Sequence, residues 1–157
     1  MAMIPEELYE FAEKKRRARR TAIQRARDQV ARARAKAGST PGGIMAGSGS
    51  RKSGGDSRTE KAALAVVEAE KKLEKARKWE KVFRELDEIF PFNDTDEGYI
   101  AGRLYDQGAQ MADISRERGV DRQTIRRKKD KYIFQLILLA TAAGLIRPGD
   151  IRHSEGR

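Results

Sequence analysis

The sequence contains no cysteine. That excludes disulfides, thiolate metal sites and cysteine nucleophiles, and it fits a reducing compartment such as the cytoplasm. Histidine occurs once, as His153, with no Cys or second His to complete a zinc set. No segment repeats, and no stretch alternates apolar and polar residues as a strand would. The longest apolar run, Tyr132–Ile146, is interrupted by Gln135 and Thr141 and falls short of the roughly 18–20 residues that a bilayer span needs. The first residues carry Glu6, Glu7 and Glu10 and nothing basic, unlike a signal peptide. The expectation is a cytoplasmic protein with no membrane partner.

Catalytic and cofactor signatures are equally scarce. Lys52-Ser53 sits in a Gly-rich stretch, but Arg51 stands where a phosphate loop requires glycine, and no strand precedes it. Glu85, Asp87 and Glu88, and then Asp94, Asp96 and Glu97, have no further ligand-type residues converging on them and read as helix-end and linker charges. The sequence therefore points to no enzyme, no cofactor and no metal.

Charge is abundant. Charged residues make up 37% of the 157 positions, with 34 Lys and Arg against 24 Asp and Glu, a net charge of +10. Such a balance favours a polyanionic partner, above all nucleic acid. Hydrophobic residues are 38% of the chain, which suits long helices with solvated faces better than one large core.

The order of helix signals gives an all-α fold. Pro5 followed by Glu6 and Glu7 starts a helix that runs to Ala37 without meeting a Gly or Pro. Its seam of Leu8, Phe11, Ala22, Ile23, Ala26, Val30 and Ala33 is thin. Gly38–Asp56 is rich in Gly and Ser and reads as a flexible loop. Ser57-Arg58-Thr59-Glu60 has the capping-box pattern, and the helix it opens runs to about Ile89, where Pro91 stops it. Two long helices joined by a loop predict a long antiparallel helical hairpin, coiled-coil-like, over residues 1–90. After a polar linker at Asn93–Gly98 come three shorter helices: Gly98–Asp106, Gln110–Arg118 and Arg122–Ala143. They form a second domain over 91–147, followed by a polar tail over 148–157. Gly119-Val120-Asp121 is the tight turn between the last two helices, with Asp121 as N-cap of the second.

That last pair carries the function. Two helices crossing steeply need a small residue at the contact, a residue tolerant of positive φ in the turn, and apolar residues locking each side. Ile114, Ser115, Gly119, Val120 and Ile125 supply these at the required separations. In a helix-turn-helix the start of the second helix enters the major groove. Arg122, Gln123, Arg126 and Arg127, with Asp130, are the outward positions. Arg matches the guanine edge and Gln the adenine edge, so the first four are the base-reading candidates. Thr124, Lys128, Lys129 and Lys131 are placed for phosphates. A further basic cluster, Lys14, Lys15, Arg16, Arg17, Arg19 and Arg20, surrounds the first helix. It suits nonspecific phosphate contact, and equally an acidic protein surface or Glu68, Glu70 and Glu74 across the hairpin.

Leu104-Tyr105-Asp106-Gln107-Gly108, with Ile114 following, resembles the lead-in to sigma-factor region 4. The longer pattern is a long helix, a loop containing Gly47-Ser48-Gly49-Ser50, a second helix and then this motif. It resembles small phage-borne transcriptional regulators of Gram-positive bacteria of the RinA and ArpU kind. Arg118 and Lys128 stand where such motifs usually carry apolar residues, and either can turn its charge outward along an aliphatic stem. The resemblance implies a sequence-specific regulator of late or prophage genes that binds double-stranded DNA. Alternatives are a phage packaging protein of the small terminase type and a helical adaptor touching RNA polymerase through the hairpin. The apolar run Tyr132–Ile146 should be covered by Trp79, Phe83, Leu86 and the Ile100–Leu104 helix, with a second protomer in a homo-oligomer as a further cover.

Overall fold

A computed structural model of the chain describes residues 5–38 and 52–147, with side chains in the second stretch from residue 58. All regular structure among the described residues is helical. In chain order it comprises α1 (Glu6–Arg17), α2 (Arg19–Gly38), α3 (Lys52–Ile89), α4 (Asp96–Ala101), a π-helical turn (Gly102–Asp106), α5 (Met111–Arg118) and α6 (Arg122–Ala142). No helix among the described residues is long and apolar enough to cross a membrane. The loop expected at Gly38–Asp56 lies outside the described residues over 39–51, as does the tail expected at 148–157.

Several boundaries differ from the sequence expectation. The single first helix is interrupted at Ala18, whose N–H turns back to the carbonyls of Lys14 and Arg16. Side chains flanking the break go to separate partners: Arg16 to Asp106, and Arg19 to Glu80 and Asp87. α3 begins at Lys52, upstream of the capping pattern at Ser57. Once nucleated, a helix gains a hydrogen bond for each residue added, so a capping pattern can be overrun. The expected linker at Asn93–Gly98 contains the start of α4. There Thr95 Oγ1 accepts the Gly98 N–H at 3.1 Å, and Asp96 and Glu97 fill the first turn. The helix expected to run on to Asp106 widens into the π turn, closed by Gln107 N–H to the Gly102 carbonyl at 3.1 Å.

The described chain divides into two compact units. One is Thr21–Arg77; the other combines the residues up to Arg20 with those from Lys78 onward. The division falls inside the long helices rather than near residue 90, because the core of the second unit recruits residues from α1 and from the end of α3. Ala12, Trp79, Val82, Phe83, Leu86 and Phe90 pack with Tyr105, Tyr132, Ile133, Leu136, Ile137 and Ala140. Burying an aliphatic or aromatic side chain of this kind stabilises by about 1.5–3 kcal/mol. This core covers one stripe of α6 only, leaving Phe134 and Leu138 exposed, at 41% and 47%. Of the predicted cover, Trp79, Phe83, Leu86 and Leu104 share this core, whereas Ile100 belongs to a second cluster and Ala12 of α1 takes part in the first.

The Thr21–Arg77 unit is leaner. Its buried apolar residues are Ala26, Val30 and Ala69, while Leu64 and Val67 stay exposed. Arg34 pairs with Glu70 at 3.1 Å, one of the carboxylates expected to face the basic first helix. The thin alanine seam seen in the sequence is what this unit has to pack with.

Candidate nucleic-acid interface

The turn between α5 and α6 is built from local rules. Asp113 Oδ2 accepts the Gln110 N–H at 3.2 Å, fixing the start of α5. Gly119 ends it with φ of 66°, a left-handed conformation that glycine adopts without a Cβ penalty. The Val120 N–H donates to the Ser115 carbonyl at 3.2 Å, and the Ser115 hydroxyl donates back to the Val120 carbonyl. Asp121 caps α6 by accepting the Thr124 N–H at 2.8 Å, and hydrogen bonds from the Thr124 side chain, then its N–H, hold the Asp121 carboxyl below its usual range.

Ile114 and Ile125 are fully buried, one from each helix. Their third partner is Ile100 of α4, not the expected Val120, which is exposed. At the end of the turn Val120 faces solvent, and α4 supplies the apolar surface that seals the crossing. Glu117 draws α5 towards α4. It accepts from the Tyr99 hydroxyl at 2.7 Å and pairs with Arg103, and Arg103 followed by Tyr99 lowers its carboxyl. Arg118 lays its guanidinium on the Tyr99 ring, 3.8 Å from the centroid, so the unusual charge is turned outward and stacked.

The base-reading candidates come together. Arg122, Gln123, Arg126 and Arg127 are exposed and, with Asp130, line one shallow concavity on α6. No arginine of this group forms an ion pair among the described residues. The phosphate candidates behave differently. Lys128 pairs with Asp96, the main cause of the lowered Asp96 carboxyl. Lys129 reaches Glu13 at 3.1 Å, and Lys131 reaches Glu97 at 3.3 Å. The Thr124 N–H is used by the Asp121 cap. The three lysines thus fasten α6 to α1 and α4, whereas the arginines stay open to solvent.

The basic cluster on the first helix is also sorted by burial. Arg16 is buried, donating through Nε to the Tyr132 hydroxyl at 2.8 Å and through both terminal nitrogens to Asp106 at 2.7 and 2.9 Å. Burial alone would raise the Asp106 carboxyl, but the Arg16 hydrogen bonds and charge hold it below its usual range. Arg19 grips Glu80 and Asp87 at 3.0 and 2.8 Å. Lys15 lies over the rings of Phe11 and Trp79. Arg17 lies over Tyr105 and near Glu13, and Arg20 is 4.0 Å from Asp106. Lys14, Arg17 and Arg20 are exposed. Intramolecular contacts therefore account for Arg16 and Arg19, and only part of the cluster is presented to solvent.

Sequence reading missed the role of α1 as a support for α6. Tyr9 donates to Asp130 at 2.7 Å, Glu13 takes Lys129, and Arg16 takes Tyr132. Burial, then the Asp130 hydrogen bond, push the Tyr9 phenol well above its ordinary value. The signal was present as spacing: Leu8, Ala12 and Arg16 recur every four residues and so fall on one face. Among the described residues no cluster of acidic or histidine side chains gathers as metal ligands. No family model, no curated protein and no solved structure matches the chain.

Proposed function

We propose that this protein is a sequence-specific double-stranded DNA-binding regulator of transcription. In this reading α5, the Gly119 turn and α6 form a helix-turn-helix of sigma region 4 type, and the first turns of α6 enter the major groove. α2 and α3 form the long antiparallel hairpin. The setting is phage or prophage gene control, as the likeness to the RinA and ArpU kind implies.

One observation carries the proposal: three arginines and a glutamine line one concavity in the first two turns of α6, and the arginines are not neutralised by any ion pair among the described residues. Several other cations of the same unit are matched to carboxylates: Arg16, Arg19, Lys128, Lys129 and Lys131. An unmatched row of planar forks is suited to guanine edges, which accept two parallel hydrogen bonds. The net charge of +10 supplies attraction to any duplex, and the reading face then selects among sequences.

The test is selection of duplexes from a random pool, followed by titration of the enriched and random sequences at several salt concentrations. The enriched site should bind about a thousandfold or more tighter than random duplex. Both affinities should fall with salt. Failure to enrich any sequence would overturn the proposal.

A further inference from the structure

The face proposed to read DNA carries one residue of the wrong sign for a polyanion. Asp130 lines the same concavity as Arg122, Gln123, Arg126 and Arg127. A helix advances about 100° per residue. With Arg122 at zero, Arg126 falls at about 40°, Asp130 at about 80°, Gln123 at about 100° and Arg127 at about 140°. Asp130 is therefore near the middle of the face in angle and at its C-terminal end along the axis. It lies about 12 Å along the axis from Arg122, comparable to the width of the major groove.

The carboxylate is also held in place. The Tyr9 hydroxyl, from the other end of the chain, donates to Asp130 Oδ1 at 2.7 Å. Lys129, one residue away, lies over the Tyr9 ring at 5.5 Å from its centroid and pairs with Glu13. α1 thus fixes both the ring and one carboxylate oxygen. An acid that served only solubility would need neither a place among the arginines of this concavity nor an orienting tyrosine.

Resting on the DNA-binding reading, we propose that Asp130 is a specificity-determining contact that accepts a hydrogen bond from the N4 amine of a cytosine in the major groove. Cytosine presents a donor there with no acceptor on the same base edge, whereas adenine sets its N7 lone pair beside the N6 amine. Guanine and thymine present acceptors, which a carboxylate repels. The same charge rejects registers that would bring a phosphate against this part of the face, lowering binding to random duplex. Tyr9 is the positioning residue.

The experiment uses the full chain as wild type, Asp130→Asn, Asp130→Ala and Tyr9→Phe, each selected against a random duplex pool and titrated on the wild-type site. Circular dichroism checks that each variant is folded. Wild type should require one C·G pair, with about a tenfold penalty when it is replaced. Asp130→Asn should move that preference towards adenine, whose N6 and N7 an amide matches, and Asp130→Ala should lose it. Both should bind random duplex more tightly than wild type. Tyr9→Phe keeps the charge and should weaken the preference at the same pair only. If wild type enriches a site and both Asp130 variants enrich the same site with the same mismatch penalties, this inference fails and the DNA-binding reading stands. If wild type enriches no site, both fall together.

Discussion

Replacing Arg16 by methionine removes the charge that holds α1, the π turn and α6 together while keeping most of the side-chain volume. The Arg16 side chain is 3% exposed and that of Asp106 is 22%. Removing one partner of a fully buried ion pair costs about 3–5 kcal/mol, and a buried hydroxyl left without its partner adds about 1–3 kcal/mol. Here the Tyr132 hydroxyl loses the Arg16 Nε, while Asp106 keeps some contact with water and has Arg20 at 4.0 Å. The net loss should be about 3 kcal/mol. Trp79, buried in the same core, reports it by fluorescence during urea unfolding. The pH dependence gives an independent sign. In wild type the folded Asp106 carboxyl titrates below its unfolded value, so its contribution is present above about pH 4 and is lost as pH falls through the folded value. In Arg16→Met the hydrogen bonds that lower this carboxyl are gone, so the mutant has less of that contribution to lose. The gap between the two proteins should therefore narrow as pH falls below about 4. Adding Asp106→Leu should recover most of the loss, because an apolar pair of similar size replaces the ions at little cost. A loss under about 0.5 kcal/mol, or a gap that stays constant with pH, would refute the reasoning.

Three further outcomes are expected. Leu136→Ala, at a fully buried site, should cost about 2–5 kcal/mol in urea unfolding, whereas Leu138→Ala, at 47% exposure, should cost under about 1 kcal/mol. Asp121→Ala should lower the melting temperature at pH 7, and the deficit should close below about pH 4. The lowered carboxyl gives wild type its advantage only while ionised. Gly98→Ala should be far more damaging than Gly119→Ala. A Cβ at 98 would sit 2.2 Å from the Phe90 carbonyl oxygen, while a Cβ at 119 meets nothing within 4 Å and has only the positive φ to overcome, about 1–2 kcal/mol.

The parts of the fold legible in the sequence are those set by local chemistry. Gly119, the Asp121 cap and the start of α6 at Arg122 are written within a few residues of one another, and so is the exposed group from Arg122 to Arg127. Thr95-Asp96-Glu97 is an equally local helix-start signal, which reads as linker charge when only the acids are considered. What stayed hidden depends on contacts far apart in the chain. A run such as Lys14–Arg20 leaves phosphate and carboxylate partners equally open until Asp106, Glu80 and Asp87 are brought to it. The lysines of α6 look available for phosphates until Asp96, Glu97 and Glu13 arrive. Val120 is an apolar residue that pattern alone assigns to the crossing. Its exclusion follows only once Ile100 is seen to occupy that place.

The central claim is that the first turns of α6 read bases rather than merely attracting phosphate, and Arg126 tests it most directly. Arg126→Ala should be titrated against the selected duplex and a random duplex at matched salt, beside wild type. A bidentate contact to a guanine edge predicts a loss of about 1–3 kcal/mol on the selected site and a much smaller loss on random duplex. Equal losses on both, or none on either, would contradict the account.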